Sequence, residues 1–255
     1  IILCGGIGTR LKEETEFKPK PLVTIGNMPI LWHIMKIYSH YGYKDFVLCL
    51  GYKGHEIKNF FLTYDLLRHD FTFNLGKRGS NHLYHNSNVL EDWNITFAET
   101  GLDTNTGGRI KKIEKYIKDD NFFLTYGDGV ADVNIENLYK FHIKHGKIAT
   151  LTSIQPTSRF GIVEFDKNGN VKSFKEKPKL EGWINGGFFV FKKEVFDYIG
   201  ENDVFEQKPL TNLAKDNQLV SYAHKGFWEC MDTHRDFENL NKIWSSGKAF
   251  WKVWK

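Results

Sequence analysis

Cysteine is scarce: the 255 residues hold three, Cys4, Cys49 and Cys230, far apart along the chain. An odd number at such separations builds no disulfide framework and offers no metal-ligand spacing, which suits a reducing compartment. Cys4 and Cys49 sit inside apolar runs and are expected to be buried small hydrophobes. Long apolar runs are missing as well, and no basic-then-apolar leader opens the chain, so no membrane partner is expected and the cytoplasm is the default address. Charge of one sign is not concentrated. The 35 Lys+Arg against 31 Asp+Glu leave a net charge of +4 without a dense basic stripe, which argues against a nucleic-acid surface and for local anion pockets. The ten histidines include no HExxH pair, and His142 with His145 reads as a solvated helix face. Internal repeats, low-complexity tracts and flexible linkers are absent, so a single domain over residues 1–255 is expected. The chain opens on Ile1, within residues 1–3 that already read as a strand, so a few natural residues are expected to precede it.

What is present is the composition of a packed globular protein, with 41% hydrophobic and 15% aromatic residues. Short apolar runs at 1–3, 45–50, 94–99 and 122–126 read as strands. Amphipathic segments alternate with them. In the first, Asn27 can cap, Pro29 suits the first turn, Ile30, Ile34, Ile37 and Tyr41 share a face, and Gly42 can close the helix. Further helices are expected at 54–67, 108–117 and 134–145. This alternation implies right-handed βαβ crossovers and a largely parallel sheet. Beyond Ala149 strands dominate: 161–166 and 171–175 flank Lys167-Asn168-Gly169-Asn170, a hairpin signal, and another covers 187–191. Helical segments at 209–215 and 237–244 follow. Residues 69–94 are polar and poorly periodic, a candidate loop or insertion.

The first strand runs directly into Cys4-Gly5-Gly6-Ile7-Gly8-Thr9-Arg10, with Lys18-Pro19-Lys20-Pro21 close behind. Glycines there let backbone N–H groups approach a polyanion, while Arg10 and Lys20 neutralise it. Leu11 stands where a dinucleotide fingerprint needs its third glycine, and no GK[ST] ending makes a P-loop, so neither of those sites is indicated. Asp128 follows the apolar strand at 122–126, at the carboxyl end where open α/β sheets bind ligands. Asp232 lies about a hundred residues on, and the sequence alone does not bring the two together.

Gly5 to Arg10 together with Lys18-Pro19-Lys20-Pro21-Leu22-Val23 resembles the signature of the sugar-phosphate nucleotidyltransferases. Tyr126-Gly127-Asp128-Gly129, Phe174-Lys175-Glu176-Lys177-Pro178, Trp183-Ile184-Asn185-Gly186-Gly187 and residues 228–236 match it in order, so the likeness extends over essentially the whole chain. The resemblance implies an α/β, Rossmann-like nucleotide-diphospho-sugar transferase fold: a largely parallel sheet flanked by helices, with a C-terminal β-rich elaboration on the acceptor side. Residues 1–149 would mainly bind nucleotide, and 150–255 the acceptor.

It also implies roles. Lys20 would serve the α-phosphate and the acceptor phosphate, Arg10 the β- and γ-phosphates, and Asp128 and Asp232 would hold Mg²⁺. Gly8 and Thr9 belong to the phosphate turn, and Leu3, Gly5, Gly6 and Gly127 would line base and ribose. Residues 100–109 resemble the loop of the family's cytidylyltransferases, and 247–254 their ending, which implies CTP. By the same likeness Thr104 and Arg109 would contact the nucleotide from another subunit of a homo-oligomer. Glu176, Lys177 and Asn185 match acceptor-binding positions and favour a hexose 1-phosphate, glucose first. Three departures are Cys4 in place of a usual Ala, His234 within the Met-Asp-Thr-x-Arg-Asp run, and the length of 69–94. They leave open a different acceptor, such as a polyol phosphate or a phosphoramidate. A non-catalytic nucleotide-binding regulator is the alternative of another class, and the failed fingerprint speaks against a dehydrogenase.

Overall fold

Continuous apolar runs become strands buried on both faces. The structure, a computed structural model, describes residues 1–74, 76, 83–85, 91–158 and 160–254. In chain order the principal elements are β1 (Ile2–Leu3), α1 (Ile30–His40), β2 (Asp45–Leu50), α2 (Gly54–Leu62), β3 (Asn94–Glu99), α3 (Thr106–Lys112), β4 (Asn121–Tyr126), β5 (Gly129–Ala131), α4 (Ile135–His145) and β6 (Ala149–Ile154). There follow β7 (Ile162–Phe165), β8 (Val171–Lys175), β9 (Ile184–Lys192), α5 (Lys208–Lys215), β10 (Leu219–His224), β11 (Trp228–Cys230) and α6 (His234–Ser245). A seven-stranded sheet has the order β10-β6-β9-β4-β1-β2-β3. β9 runs antiparallel to both its neighbours; the other adjacent pairs are parallel. The expected largely parallel sheet flanked by helices is what forms, made mixed by the antiparallel β9.

The period-two alternation of β9 divides the core. Phe188 and Val190 face one side, with Ile30, Ile34 and Ile37 of α1. Phe189 and Phe191 face the other, with Ile110 of α3, Phe205 and Leu213 of α5. Each such side chain removed from water contributes roughly 1.5–3 kcal/mol before chain entropy is counted. The sheet's connections place the site. β1 leads through α1 to β2 on one side, while β4 pairs with β1 on the other, so a crevice opens beyond the carboxyl ends of β1 and β4. Cys4 and Gly127 are the first residues past those ends.

Several local expectations are corrected. Asn27 does not cap α1: Thr24–Ile25 and Met28–Pro29 pair as a tiny hairpin around Gly26 and Asn27, and the Ile30 N–H is satisfied by the Val23 carbonyl. Gly42 does close the helix, at φ 89°. His142 is not solvated. It lies seven residues after Ile135 and four after Leu138, on the buried stripe of α4, with its ring nitrogens 2.8 Å from Thr150 Oγ1 and 3.2 Å from Asn121 Oδ1. Burial first, then His145 and Lys192, push its pKa down to about 4. The helix expected at 54–67 ends at Leu62, and that at 108–117 spans Thr106–Lys112 before a 3₁₀ turn. Of the 69–94 stretch, residues 75, 77–82 and 86–90 lie outside the described ones; Phe71–Thr72 and Leu83–Tyr84 pair as a short ribbon. Among the described residues no helix is long and apolar enough to cross a membrane.

Candidate active site

The glycine turn after β1 is held from both ends. Gly8 sits at φ 72°, a conformation that favours glycine, and its carbonyl accepts from the Leu11 N–H at 3.0 Å and the Thr15 hydroxyl at 3.1 Å. A Cβ on Gly5 would overlap the Arg109 guanidinium, so a side chain there is excluded by packing. The turn borders a cleft of about 420 Å³, within the usual range for ligand sites. Every residue expected around the nucleotide lines it, from Leu3 to Gly127, including Thr104 and Arg109. A larger cavity of about 930 Å³ lies at the opposite, amino ends of the strands and contains none of the motif residues.

The aspartates that the sequence left apart are joined by a two-stranded ribbon. β11 pairs antiparallel with β5 in the register Cys230↔Gly129, and the Met231 N–H donates to the Asp128 carbonyl at 2.8 Å. Asp128 and Asp232 therefore emerge side by side. The capping box of Thr233 and Asp236 starts α6 immediately after Asp232. Lys20, in a 3₁₀ turn bracketed by Pro19 and Pro21, reaches between the carboxylates: its Nζ donates to Asp128 Oδ2 at 2.6 Å and to Asp232 Oδ1 at 2.5 Å. Arg10 Nη1 lies 2.9 Å from Asp232 Oδ2, with an exposed side chain. Burial draws the Lys20 ammonium down, but the two carboxylates outweigh it and the net shift is upward. Two cations against two carboxylates make a balanced cluster at the mouth of a glycine turn, ready to exchange partners with a phosphate chain.

Arg109 differs from its expected part. It is 5% exposed, and its guanidinium donates to the carbonyls of Leu50, Gly5, Gly101 and Leu102 and to the Thr100 hydroxyl. It lines the cleft of its own chain, as does Thr104, because α3 packs behind the glycine turn. Arg109→Ala is expected to lower stability by about 2–3 kcal/mol, since several buried carbonyls lose a charged donor. The same change should weaken ligand binding at the cleft by loosening Gly5. Urea unfolding and a nucleotide saturation curve check this together; wild-type values in both would mean that the Arg109 contacts carry no weight.

Of the acceptor candidates, Asn185 does not itself line the cleft but is bonded to a residue that does: its Nδ2 donates to the Tyr126 hydroxyl at 3.2 Å, and its Oδ1 accepts from Gly187 N–H at 2.9 Å. Glu176 and Lys177 are exposed after β8, 3.5 Å apart, and are not among the cleft-lining residues. Sequence reasoning missed Tyr126 and Thr106, which line the cleft. Tyr126 was in view within its motif, at the end of an apolar strand. Cys4 also lines the cleft, but burial pushes its thiol well up, so it supplies no thiolate nucleophile.

Among the described residues no three His, Cys, Asp or Glu side chains gather as a metal site. Asp128 and Asp232 do converge closely enough to share one cation, here the Lys20 ammonium. A pair of hard oxygen donors completed by water and phosphate suits Mg²⁺.

Comparisons with known proteins agree with this geometry. The family model described as nucleotidyl transferase matches residues 1–246. The chain is 50% identical over 259 aligned positions to a glucose-1-phosphate cytidylyltransferase of Salmonella typhimurium, covering 100% of this chain and 99% of the relative. It is 47% identical to a probable glucose-1-phosphate cytidylyltransferase of Bacillus subtilis, with the same coverage. Among solved structures, HddC from Yersinia pseudotuberculosis is similar with a TM-score of 0.68 at 22% identity, covering 95% of this chain and 97% of that one, which speaks to the fold. With the family model running through nearly its whole length, this chain belongs to the nucleotidyl transferase family.

Proposed function

We propose that the chain transfers CMP from CTP to a sugar 1-phosphate, α-D-glucose 1-phosphate, giving CDP-glucose and pyrophosphate. The observation that carries the reading is the convergence of Arg10, Lys20, Asp128 and Asp232 at the mouth of the glycine-turn cleft. The names of the Salmonella and Bacillus relatives support the choice of CTP and glucose 1-phosphate.

The nucleotide's base and ribose occupy the slot between Leu3, Gly5, Gly6 and Gly127. Its phosphates run along the turn through Gly8 and Thr9 to Arg10, which takes the β- and γ-phosphates. Lys20 binds the α-phosphate and the acceptor phosphate. An acceptor phosphate oxygen then attacks the α-phosphorus in line; a new P–O bond forms as the bond to the β-phosphate's bridging oxygen breaks, and pyrophosphate leaves. The side chains contribute positioning and charge stabilisation without a covalent nucleophile. Asp128 and Asp232 are the pair that would hold Mg²⁺, which when bound would supply further offset of phosphate charge. Asn185 orients the acceptor, with Glu176 and Lys177 beside it. A cytoplasmic setting accords with three free cysteines, of which Cys4 and Cys49 are buried.

The test is a two-way panel of CTP, UTP and TTP against glucose 1-phosphate and other phosphorylated acceptors, read by pyrophosphate release. CTP with glucose 1-phosphate is expected to give the highest kcat/KM. Equal or better turnover with UTP or TTP sinks the donor choice, and a preference for a polyol phosphate or a phosphoramidate sinks the acceptor choice.

A further inference from the structure

One exposed carboxylate, bonded to two residues that line the cleft, has no part in this mechanism. Glu206, just before α5, serves two walls at once: its Oε1 accepts from the Tyr126 hydroxyl at 2.6 Å, and its Oε2 from the Thr106 hydroxyl at 2.7 Å. Both hydroxyl residues line the cleft. Thr106 opens α3, the helix that carries Arg109, and its hydroxyl oxygen also accepts from the Phe205 N–H at 2.9 Å. Tyr126 closes β4 next to Gly127 and Asp128. Its ring lies against Gly187, where an added Cβ would come within 2.5 Å of it.

We propose that Glu206 is a positioning residue that ties the nucleotide wall to the acceptor wall, setting Thr106 on one side and Tyr126 with Asn185 on the other. An ionised carboxylate only accepts, so both hydroxyls must turn their protons toward Glu206. The Tyr126 oxygen then presents lone pairs to Asn185, whose Nδ2 donates to it. Because Asn185 Oδ1 accepts from Gly187 N–H, the amide cannot flip without losing both contacts. Its second N–H is the donor we assign to a hydroxyl oxygen of the acceptor. Burial and then the Glu206 carboxylate push the Tyr126 phenol up, consistent with a hydroxyl that keeps its proton.

This inference rests on the cytidylyltransferase reading, so wild-type turnover with CTP and glucose 1-phosphate is measured first. Glu206→Ala is then expected to raise KM for CTP and for the acceptor, each by roughly tenfold, the worth of a lost charge-assisted hydrogen bond. Tyr126→Phe should raise the acceptor KM and Thr106→Val the CTP KM. Combining Glu206→Ala with Tyr126→Phe should leave the acceptor KM no higher than the worse single variant, because both act through one contact. Glu206→Gln, which keeps one accepting oxygen, should fall between wild type and Glu206→Ala. A Glu206→Ala enzyme with either KM unchanged overturns the bridge, as does a double variant whose effects multiply. If wild type fails to use glucose 1-phosphate, the parent reading fails and the nucleotide half is read by calorimetry with CTP. Glu206→Ala and Thr106→Val should then weaken CTP binding roughly tenfold and Tyr126→Phe should not; unaltered binding in Glu206→Ala overturns the proposal.

Discussion

Lys20→Ala is expected to lower kcat by roughly 100-fold or more, the scale seen when one preorganised charge at a reacting centre is removed. The Lys20 side chain is 12% exposed and fixed by two carboxylates within 2.6 Å, so its ammonium sits at the cleft before any ligand arrives. A charge already in place costs no reorganisation when negative charge develops on the phosphate oxygens. Arg10 remains in the variant and keeps much of the triphosphate binding, so the loss should appear in kcat more than in the CTP KM. The Mg²⁺ requirement should stay close to wild type, because both carboxylates survive. Lys20→Arg is not expected to rescue, since a planar fork does not fill the point between Asp128 and Asp232. Steady-state kinetics with CTP and glucose 1-phosphate check this. Normal turnover would mean that the N-terminal motif is not a phosphate cradle.

Asp232→Asn should lose activity and shift the Mg²⁺ requirement upward by roughly tenfold or more, because a neutral amide is a poorer ligand for a hard cation. Asp232 also anchors Lys20 and Arg10, so activity alone would not separate its roles. The metal titration does. The two variants divide the site: one leaves the metal dependence and loses turnover, the other moves both. The fold should survive, since the ribbon of β5 and β11 and the Thr233–Asp236 capping box are backbone and neighbouring-residue features. Activity against Mg²⁺ concentration, with circular dichroism on the same samples, is the measurement. An unchanged Mg²⁺ profile would remove Asp232 from the metal site.

Much of the fold was legible where one force dominates. The strands of the parallel core announce themselves as apolar runs, and the hairpin of β7 and β8 by its turn residues. The glycine turn at the cleft was readable because three glycines and two cations cluster near a strand end. His142 was misread because a polar side chain on an apolar stripe looks like an exposed position until Thr150 and Asn121 supply its partners. The capping assigned to Asn27 failed because a carbonyl at Val23, outside the local window, does the same task. The ribbon that joins Asp128 to Asp232, and the carboxylate of Glu206 that joins β4 to α3, depend on pairings across about 100 residues. No local pattern encodes those. The burial of Arg109 among backbone carbonyls was not legible, because a surface cation and a buried one look alike in a single sequence.

The most direct test of cytidylyl transfer at this cleft follows the oxygen. Wild-type protein is given CTP and glucose 1-phosphate labelled with ¹⁸O in the phosphate's non-bridging positions, and the products are read by ³¹P NMR. The account expects CDP-glucose with ¹⁸O in the bridge between its two phosphorus atoms, pyrophosphate free of label, and loss of both products in Lys20→Ala. Label in the pyrophosphate, or no CDP-glucose from an enzyme that still consumes CTP, would contradict it.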